Sequence, residues 1–339
     1  MPGYSKTDKF LHRFFLGNYS ISRALLELDQ IVYGAKSNQL ELAQTVLVTG
    51  LARSGTTAVM NRIFESGEYA SLQYANMPFL LSPNVWNRQM KITPHERAHN
   101  DGIIIDGNSP EEFDEYFWKA ITDDDYILEN GLAIQELDEE LLKKYQSYLR
   151  LICLAKGKQK YISKNNNNIL RLHKLANLPN TRIIVLFRDP ISHVSSLMKL
   201  DKKFSKNQQD DPFILEYFNF LGHHEFGLNH KPFLLNESFI EQKEKYSRNS
   251  INYWLLLWAG YYRYLLGIAK DNYIFVRFED MISSPGKVYQ YISGALQLHT
   301  AIPAREGHTP EVYPSPECDT KLLENCKIIY AELSKRLSY

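Results

Sequence analysis

The residues best suited to chemistry stand in one short run, Gly50-Leu51-Ala52-Arg53-Ser54-Gly55-Thr56-Thr57. Glycines let a backbone turn tightly, so that successive N–H groups point inward at an anion. A helix starting at about Thr56 adds the positive end of its dipole, and the threonines add hydroxyl donors. Such a loop cradles a phosphate-like group. A nucleotide-hydrolysing P-loop places lysine directly after the second glycine, where it reaches the outer phosphates. Here that position is Thr56, and the cation is Arg53, inside the loop. A guanidinium grips an oxyanion through two hydrogen bonds. Arg53, Ser54, Gly55, Thr56 and Thr57 are therefore candidate ligands of a phosphate and of a group attached to it.

A second constellation follows the apolar run Thr181–Phe187: Arg188 comes next, and Ser196 lies eight residues further on. Ligands of open α/β sheets bind at the carboxyl ends of strands. One Arg and one Ser there suit a second phosphate. The plainer alternative is that Arg188 only pairs with Asp189 or with a helix end. A third pattern, His95-Glu96-Arg97-Ala98-His99, fits the H-E-x-x-H frame of zinc hydrolases, in which both imidazoles share one helical face. No third ligand is marked in the sequence, and no metal is expected.

These residues resemble the sulfotransferase superfamily, whose members use 3′-phosphoadenosine 5′-phosphosulfate (PAPS). Ala52–Thr57 is similar to the Arg form of their first motif, x-[KR]-S-G-T-T after a strand, and implies a site for the 5′-phosphosulfate. Arg188 and Ser196 are similar in type and spacing to their second motif, which implies a grip on the 3′-phosphate. Lys164-Asn165-Asn166 resembles the turn whose lysine assists the sulfuryl group, although Asn166 stands where that pattern has Pro. Arg277-Phe278-Glu279-Asp280 is similar to the family's strand ending in [YF]-E-D. The resemblance runs from about Thr45 to Leu298 and is nearest the bacterial-type branch. It implies metal-independent transfer of a sulfuryl group from PAPS to a hydroxyl or amine of a small-molecule or carbohydrate acceptor.

The pattern is not complete. Ala58 stands where the cytosolic enzymes carry an aromatic against the adenine, and Arg305-Glu306-Gly307 only faintly echoes the family's C-terminal segment. The Arg-type branch often has a Glu beyond the first motif, yet Gln73–Pro78 carries no carboxylate. The acceptor's proton must go to a base. His99 is the choice, with His95 and Asp101 as alternatives, because an imidazole takes a proton near neutral pH. Two other functions fit the loop: a nucleotide or small-molecule kinase, which the missing lysine argues against, and a non-catalytic nucleotide-binding protein.

The elements that must position these groups are legible from periodicity. Thr45–Thr49, Thr181–Phe187 and Tyr273–Phe278 read as buried strands, with a short strand at Tyr161–Ser163. Helices are expected at Ser20–Tyr33, with Ile21, Leu25, Leu28 and Ile31 on the buried face, and from about Thr56 to Glu65. Ser109-Pro110-Glu111-Glu112 reads as a helix start with a capping box, and Asp138 opens a helix to about Ala155. Further helices are expected near Ile169–Ala176, after Pro190 to Met198, over Phe213–His224, over Arg248–Ala269, from about Pro285, and over Asp319–Leu337. Lys202–Pro212 reads as a polar, mobile loop, Leu228–Ser238 as irregular, and Ile302–Pro316 as a surface loop. The aromatics of Tyr253–Tyr264 read as core; the run Asn165–Asn168 either hydrogen-bonds the cofactor or substrate, the reading favoured by its place directly after Lys164, or is a turn after a strand.

Strands alternating with helices imply one α/β domain with a mainly parallel sheet, helices on both faces and a P-loop-like strand–loop–helix. The expected layout is a helical extension over about 1–43, a core over about 44–300, and a loop and helix over 301–339. The chain has 339 residues, 44% of them hydrophobic, which suits a globular enzyme. Its 39 basic residues equal its 39 acidic ones, so no global field draws it to nucleic acid or an acidic membrane. Three scattered cysteines, no apolar leader and no stretch long enough to span a bilayer give a cytoplasmic expectation. Segments Tyr69–His99, Lys202–Pro212 and Leu228–Ser247 are expected to shape the acceptor pocket.

Overall fold

The computed structural model describes residues 5–86, 95–96, 104–302 and 317–339. A five-stranded sheet forms its centre: β1 (Gln44–Thr49), β2 (Tyr69–Ala70), β3 (Lys160–Lys164), β4 (Thr181–Phe187) and β5 (Tyr273–Arg277). The order is β5-β4-β1-β3-β2, and every pairing is parallel. β1 therefore lies in the middle, with β3 on one side and β4 on the other. β1 and β3 finish within one residue of each other, since Val48 pairs with Lys164, and β4 runs two residues past Val185, the partner of Thr49. The expected α/β architecture is what the chain adopts.

The strands are apolar almost throughout because both faces are covered. Val46, Val48, Ile184, Leu186 and Val276 pack on one face with Val59 and Ile63 of α3 (Thr56–Phe64). Their neighbours Leu47, Ile183, Val185, Phe187 and Phe275 pack on the other, in the larger core. Each such buried side chain contributes about 1.5–3 kcal/mol. The larger core contains α8 (Ile251–Ile268), whose Trp254, Trp258, Tyr261 and Tyr262 are all buried, as the sequence implied.

The other main helices are α1 (Lys6–Leu16), α2 (Tyr19–Asn38), α4 (Glu115–Thr122), α5 (Glu139–Lys156), α6 (Pro190–Asp210), α7 (Pro212–Leu221), α9 (Pro285–Ala295) and α10 (Thr320–Ser334). Several begin as the sequence predicts. Asp138 accepts the Leu141 N–H to cap α5, and Asp189 accepts that of Ser192 ahead of Pro190 in α6. The helix expected near Ile169–Ala176 is a 3-10 turn, Asn166–Leu170, followed by the short helix Leu172–Leu175.

Three expectations are corrected. Lys202–Asp210 is not a loop but the last turns of α6, where Asp201, Phe204 and Gln208 recur at helical spacing and are buried. Ser109-Pro110-Glu111-Glu112 does not start a helix: α4 begins at Glu115, and Glu112 is drawn inward by other partners. Finally, α2 buries Ser22, Leu26 and Asp29, and leaves Leu28 and Ile31 exposed. The reason is polar. Asp29 accepts the backbone N–H groups of Asn84 and Val85 and the Asn84 side chain, and this anchor turns the helix. Among the described residues no helix is long and apolar enough to cross a membrane.

Candidate active site

The loop after β1 is shaped by close approach. A Cβ on Gly50 would lie 2.6 Å from the Leu186 carbonyl oxygen, and one on Gly55 3.0 Å from the Phe278 ring. Gly55 also sits at φ 96°, a left-handed conformation that favours glycine. Arg53 adopts φ 74° although it carries a side chain. That costs about 1–3 kcal/mol and persists only where the surroundings dictate it. They do so here. The Ser54 N–H and hydroxyl both donate to the Leu51 carbonyl, so Ser54 braces the turn and its hydroxyl faces inward.

A second brace comes from α6 and α8. His193 Nε2 donates to the Ala52 carbonyl at 2.8 Å, and His193 Nδ1 accepts the Trp258 indole N–H at 3.2 Å. A carbonyl only accepts and an indole N–H only donates, so this imidazole is neutral with its proton on Nε2. Burial, with Arg188 and Arg53 nearby, pushes it down to about 3. The Tyr262 hydroxyl donates to the Leu186 carbonyl at 2.9 Å, behind the same loop.

The structure brings most of the candidate groups to the carboxyl ends of the central strands. The half-buried Arg53 donates through Nε to the Ser196 hydroxyl, at 3.2 Å. Arg188 is buried at the end of β4, its guanidinium 4.4 Å from the centre of the Phe278 ring. The Asp189 carboxylate caps α6, and its N–H donates to Glu279. Thr56 and Thr57 occupy the first turn of α3, and the Thr56 hydroxyl is 3.5 Å from Asn166 Oδ1.

Lys164 ends β3 beside this loop, and its ammonium is bonded to the Glu112 carboxylate. Glu112 takes the Asn166 N–H on its other oxygen at 2.6 Å. Asn166 Nδ2 in turn donates to Glu225, at 3.0 Å. The asparagine run is thus a buried scaffold: Asn165 reaches Glu115, and Asn167 reaches the Gly222 carbonyl. Glu115 is held by Arg171 through two bonds, of 2.8 and 2.9 Å, with both side chains fully buried. Burial pushes the Glu112 carboxyl up to about 8, against the pull of Lys164.

Glu112 and Glu225 are the residues that sequence reasoning missed as site groups. Glu112 was expected to complete a capping box; it instead lies opposite Lys164. Glu112, His223 and Glu225 bring possible ligand atoms within 4.8 Å of one another. The Lys164 ammonium, bonded to Glu112, already supplies the positive charge that such a cluster needs. A small cavity opens beside the loop, lined by Leu51, Ala52, Leu197, Glu225, Phe233 and Trp254 among others.

His99 and Asp101 lie outside the described residues. His95 and Glu96 form a two-residue strand paired antiparallel with Ile104–Ile105, so the H-E-x-x-H frame does not begin as a helix.

Residues 45–219 match the model of a family described as the sulfotransferase family. The match runs from β1 through most of α7 and so includes the loop, Lys164, Arg188 and Ser196. No curated protein matches the chain. Among solved structures the chain is similar to sulfotransferase STF1 from Mycobacterium tuberculosis H37Rv, at 12% identity over 99% of this chain and 87% of that one, with a TM-score of 0.49. It is also similar to sulfotransferase STF9 from Mycobacterium avium, at 12% identity, 98% and 79% coverage, and a TM-score of 0.49. A sulfotransferase from Alicyclobacillus acidocaldarius is similar at 13% identity, 87% and 94% coverage, and a TM-score of 0.37.

Proposed function

The chain belongs to the sulfotransferase family, and on that premise we propose that it moves a sulfuryl group from PAPS to a hydroxyl or amine of a small-molecule or carbohydrate acceptor. The observation that carries this reading is the contact between Arg53 and Ser196, which joins the two candidate phosphate sites into one. In this proposal the loop N–H groups, Gly55, Thr56 and Thr57 hold the 5′-phosphosulfate, with Ser54 shaping the turn. Arg188 and Ser196 take the 3′-phosphate. Arg53 and Lys164 stabilise the charge that grows on the leaving phosphate as its bond to sulfur breaks and the acceptor oxygen or nitrogen bonds to sulfur. A sulfuryl group carries less charge than a phosphoryl group, so these two cations suffice and no metal is assigned.

The acceptor is proposed to enter by the cavity at Leu51, Ala52, Glu225 and Trp254, where it would be held in line with the loop. The base remains assigned to His99 on sequence grounds. The chain that carries it re-enters the described structure at Ile104–Ile105 and runs to Glu111 and Glu112, beside Lys164. The free cysteines Cys153, Cys318 and Cys326 support a reducing compartment, the cytoplasm in this reading. The chain is treated as a single catalytic unit from its N-terminal helices to α10.

The test is thermal stabilisation by adenosine 3′,5′-bisphosphate against AMP and ATP. The bisphosphate is expected to raise the melting temperature most. Equal shifts would remove the reading, and a larger one with ATP and magnesium would favour a kinase.

A further inference from the structure

Lys164 is the cation proposed to serve a bound anion, yet in the structure it already has one. Its ammonium is bonded to Glu112, with Glu111 Oε1 at 3.9 Å. Glu112 is fully buried, and Lys164 is 7% exposed. Glu112 cannot follow the ammonium elsewhere, because its second oxygen is pinned by the Asn166 backbone N–H. Asn166 in turn sits in a turn fixed by Asn165 and Asn167. The other charged groups around Glu112 are mostly acids. Glu225 follows α7 and shares Asn166, Glu115 lies on α4, and Glu111 is its neighbour. His223, also after α7, completes the surroundings.

We propose that Lys164 and Glu112 form a donor-gated pair: the ammonium leaves Glu112 for the 5′-phosphate of the bound donor, a group that adenosine 3′,5′-bisphosphate shares, and Glu112 takes up one proton in exchange. The inference rests on the PAPS reading given above. Its physical basis is the cost of a buried charge left without a partner. A lone carboxylate among Glu111, Glu115 and Glu225 in a buried site is relieved by a proton. Burial, Glu225 and Glu115 already push the Glu112 proton affinity up, and Lys164 is the main influence against them. Withdrawing Lys164 removes that opposition. The lysine stays an ammonium throughout. The proton passes from water or buffer to a Glu112 oxygen, and no other bond is made or broken. Glu112 is thus a positioning residue for Lys164.

A pH dependence follows. Where binding takes up a proton, affinity falls as pH rises. The fall begins where the Lys164-paired Glu112, its proton affinity raised by burial, loses its proton, and continues above that pH. Below that range Glu112 is protonated with or without the donor, and affinity is level.

The experiment is calorimetric titration with adenosine 3′,5′-bisphosphate, in pairs of buffers that differ in ionisation heat, from about pH 7 to about pH 10. Wild-type protein is expected to take up as much as about one proton more than Glu112→Gln at the alkaline end. Its dissociation constant should rise by up to about tenfold per pH unit there, and that of the variant should not. Lys164→Met, which has no ammonium to withdraw, should match Glu112→Gln and serves where that variant does not fold. Equal proton counts in wild type and either variant would overturn the gate while leaving the donor reading intact. Absence of binding to wild type would overturn the donor reading, and the gate with it.

Discussion

Arg53 and Ser196 lie 143 residues apart in sequence, and the arginine Nε donates to the serine hydroxyl across 3.2 Å. One residue belongs to the loop after β1, the other to the second turn of α6. Their contact ties the loop to the helix that follows Arg188.

Arg53 should therefore matter to the chemical step more than to folding. Arg53→Ala is expected to lower kcat by about 10²–10³, the usual cost of removing one preorganised donor to a developing charge. Arg53→Lys should recover only part of this, because an ammonium cannot reproduce the two-pronged geometry. Transfer of labelled sulfate from PAPS across an acceptor screen measures both. Unchanged turnover in Arg53→Ala would place the loop outside the reaction.

Arg188 should set the preference for a 3′-phosphate. Hydrogen bonds to a charged group contribute about 1.5–3 kcal/mol, roughly tenfold or more in affinity. Wild-type protein should bind adenosine 3′,5′-bisphosphate more tightly than AMP by at least that factor, and Arg188→Ala should bind the two alike. Competition for a fluorescent adenosine nucleotide gives the ratio directly.

Much of this was readable from local sequence. The run Gly50–Thr57, the strands on either side and the Arg188–Ser196 spacing each depend on neighbours within a few turns, and each lies where expected. Glu112 was not readable. Its helix-start pattern is sound as local chemistry, but its carboxylate is claimed by Lys164 and Asn166, some fifty residues later. The one available signal was the Glu pair at 111–112 set against a lysine at the end of a predicted strand. The face of α2 failed for a similar reason: Asp29 finds its partners at Asn84 and Val85, beyond the reach of any helical period.

Gly55 offers a test of the cradle itself. At φ 96°, and with Phe278 at 3.0 Å from a built Cβ, Gly55→Ala is both strained and crowded. It should lower stability by about 1–3 kcal/mol and weaken bisphosphate binding as well. Gly157 also has a positive φ, at 61°, but nothing lies within 4 Å of its Cβ position. Gly157→Ala should therefore cost stability while leaving binding intact. Chemical denaturation and a binding titration on both variants separate strain from site damage.

His193 should make the fold sensitive to acid. Its imidazole is pushed down to about 3 in the folded chain, from an ordinary value of 6.5. The unfolded chain therefore binds a proton that the folded chain refuses. The contribution is fully present above about pH 6.5 and is lost as pH falls toward about 3. Asp114, pushed up to about 6 by burial, works in the opposite direction over part of that range. The telling quantity is thus a difference: His193→Gln should show a flatter loss of stability on acidification than wild type. Parallel slopes would mean that His193 takes a proton freely.

The bonds from Trp258 through His193 to Ala52, together with that from Tyr262 to Leu186, are all made by the chain itself. The loop thus acquires its shape when the protein folds, and the entropy of ordering it is settled before any encounter. Capture can then approach the rate at which partners collide in the right orientation, without waiting for the backbone to rearrange. Trp258, wholly inside the core, thus helps to set the shape of a loop it does not itself belong to, through His193.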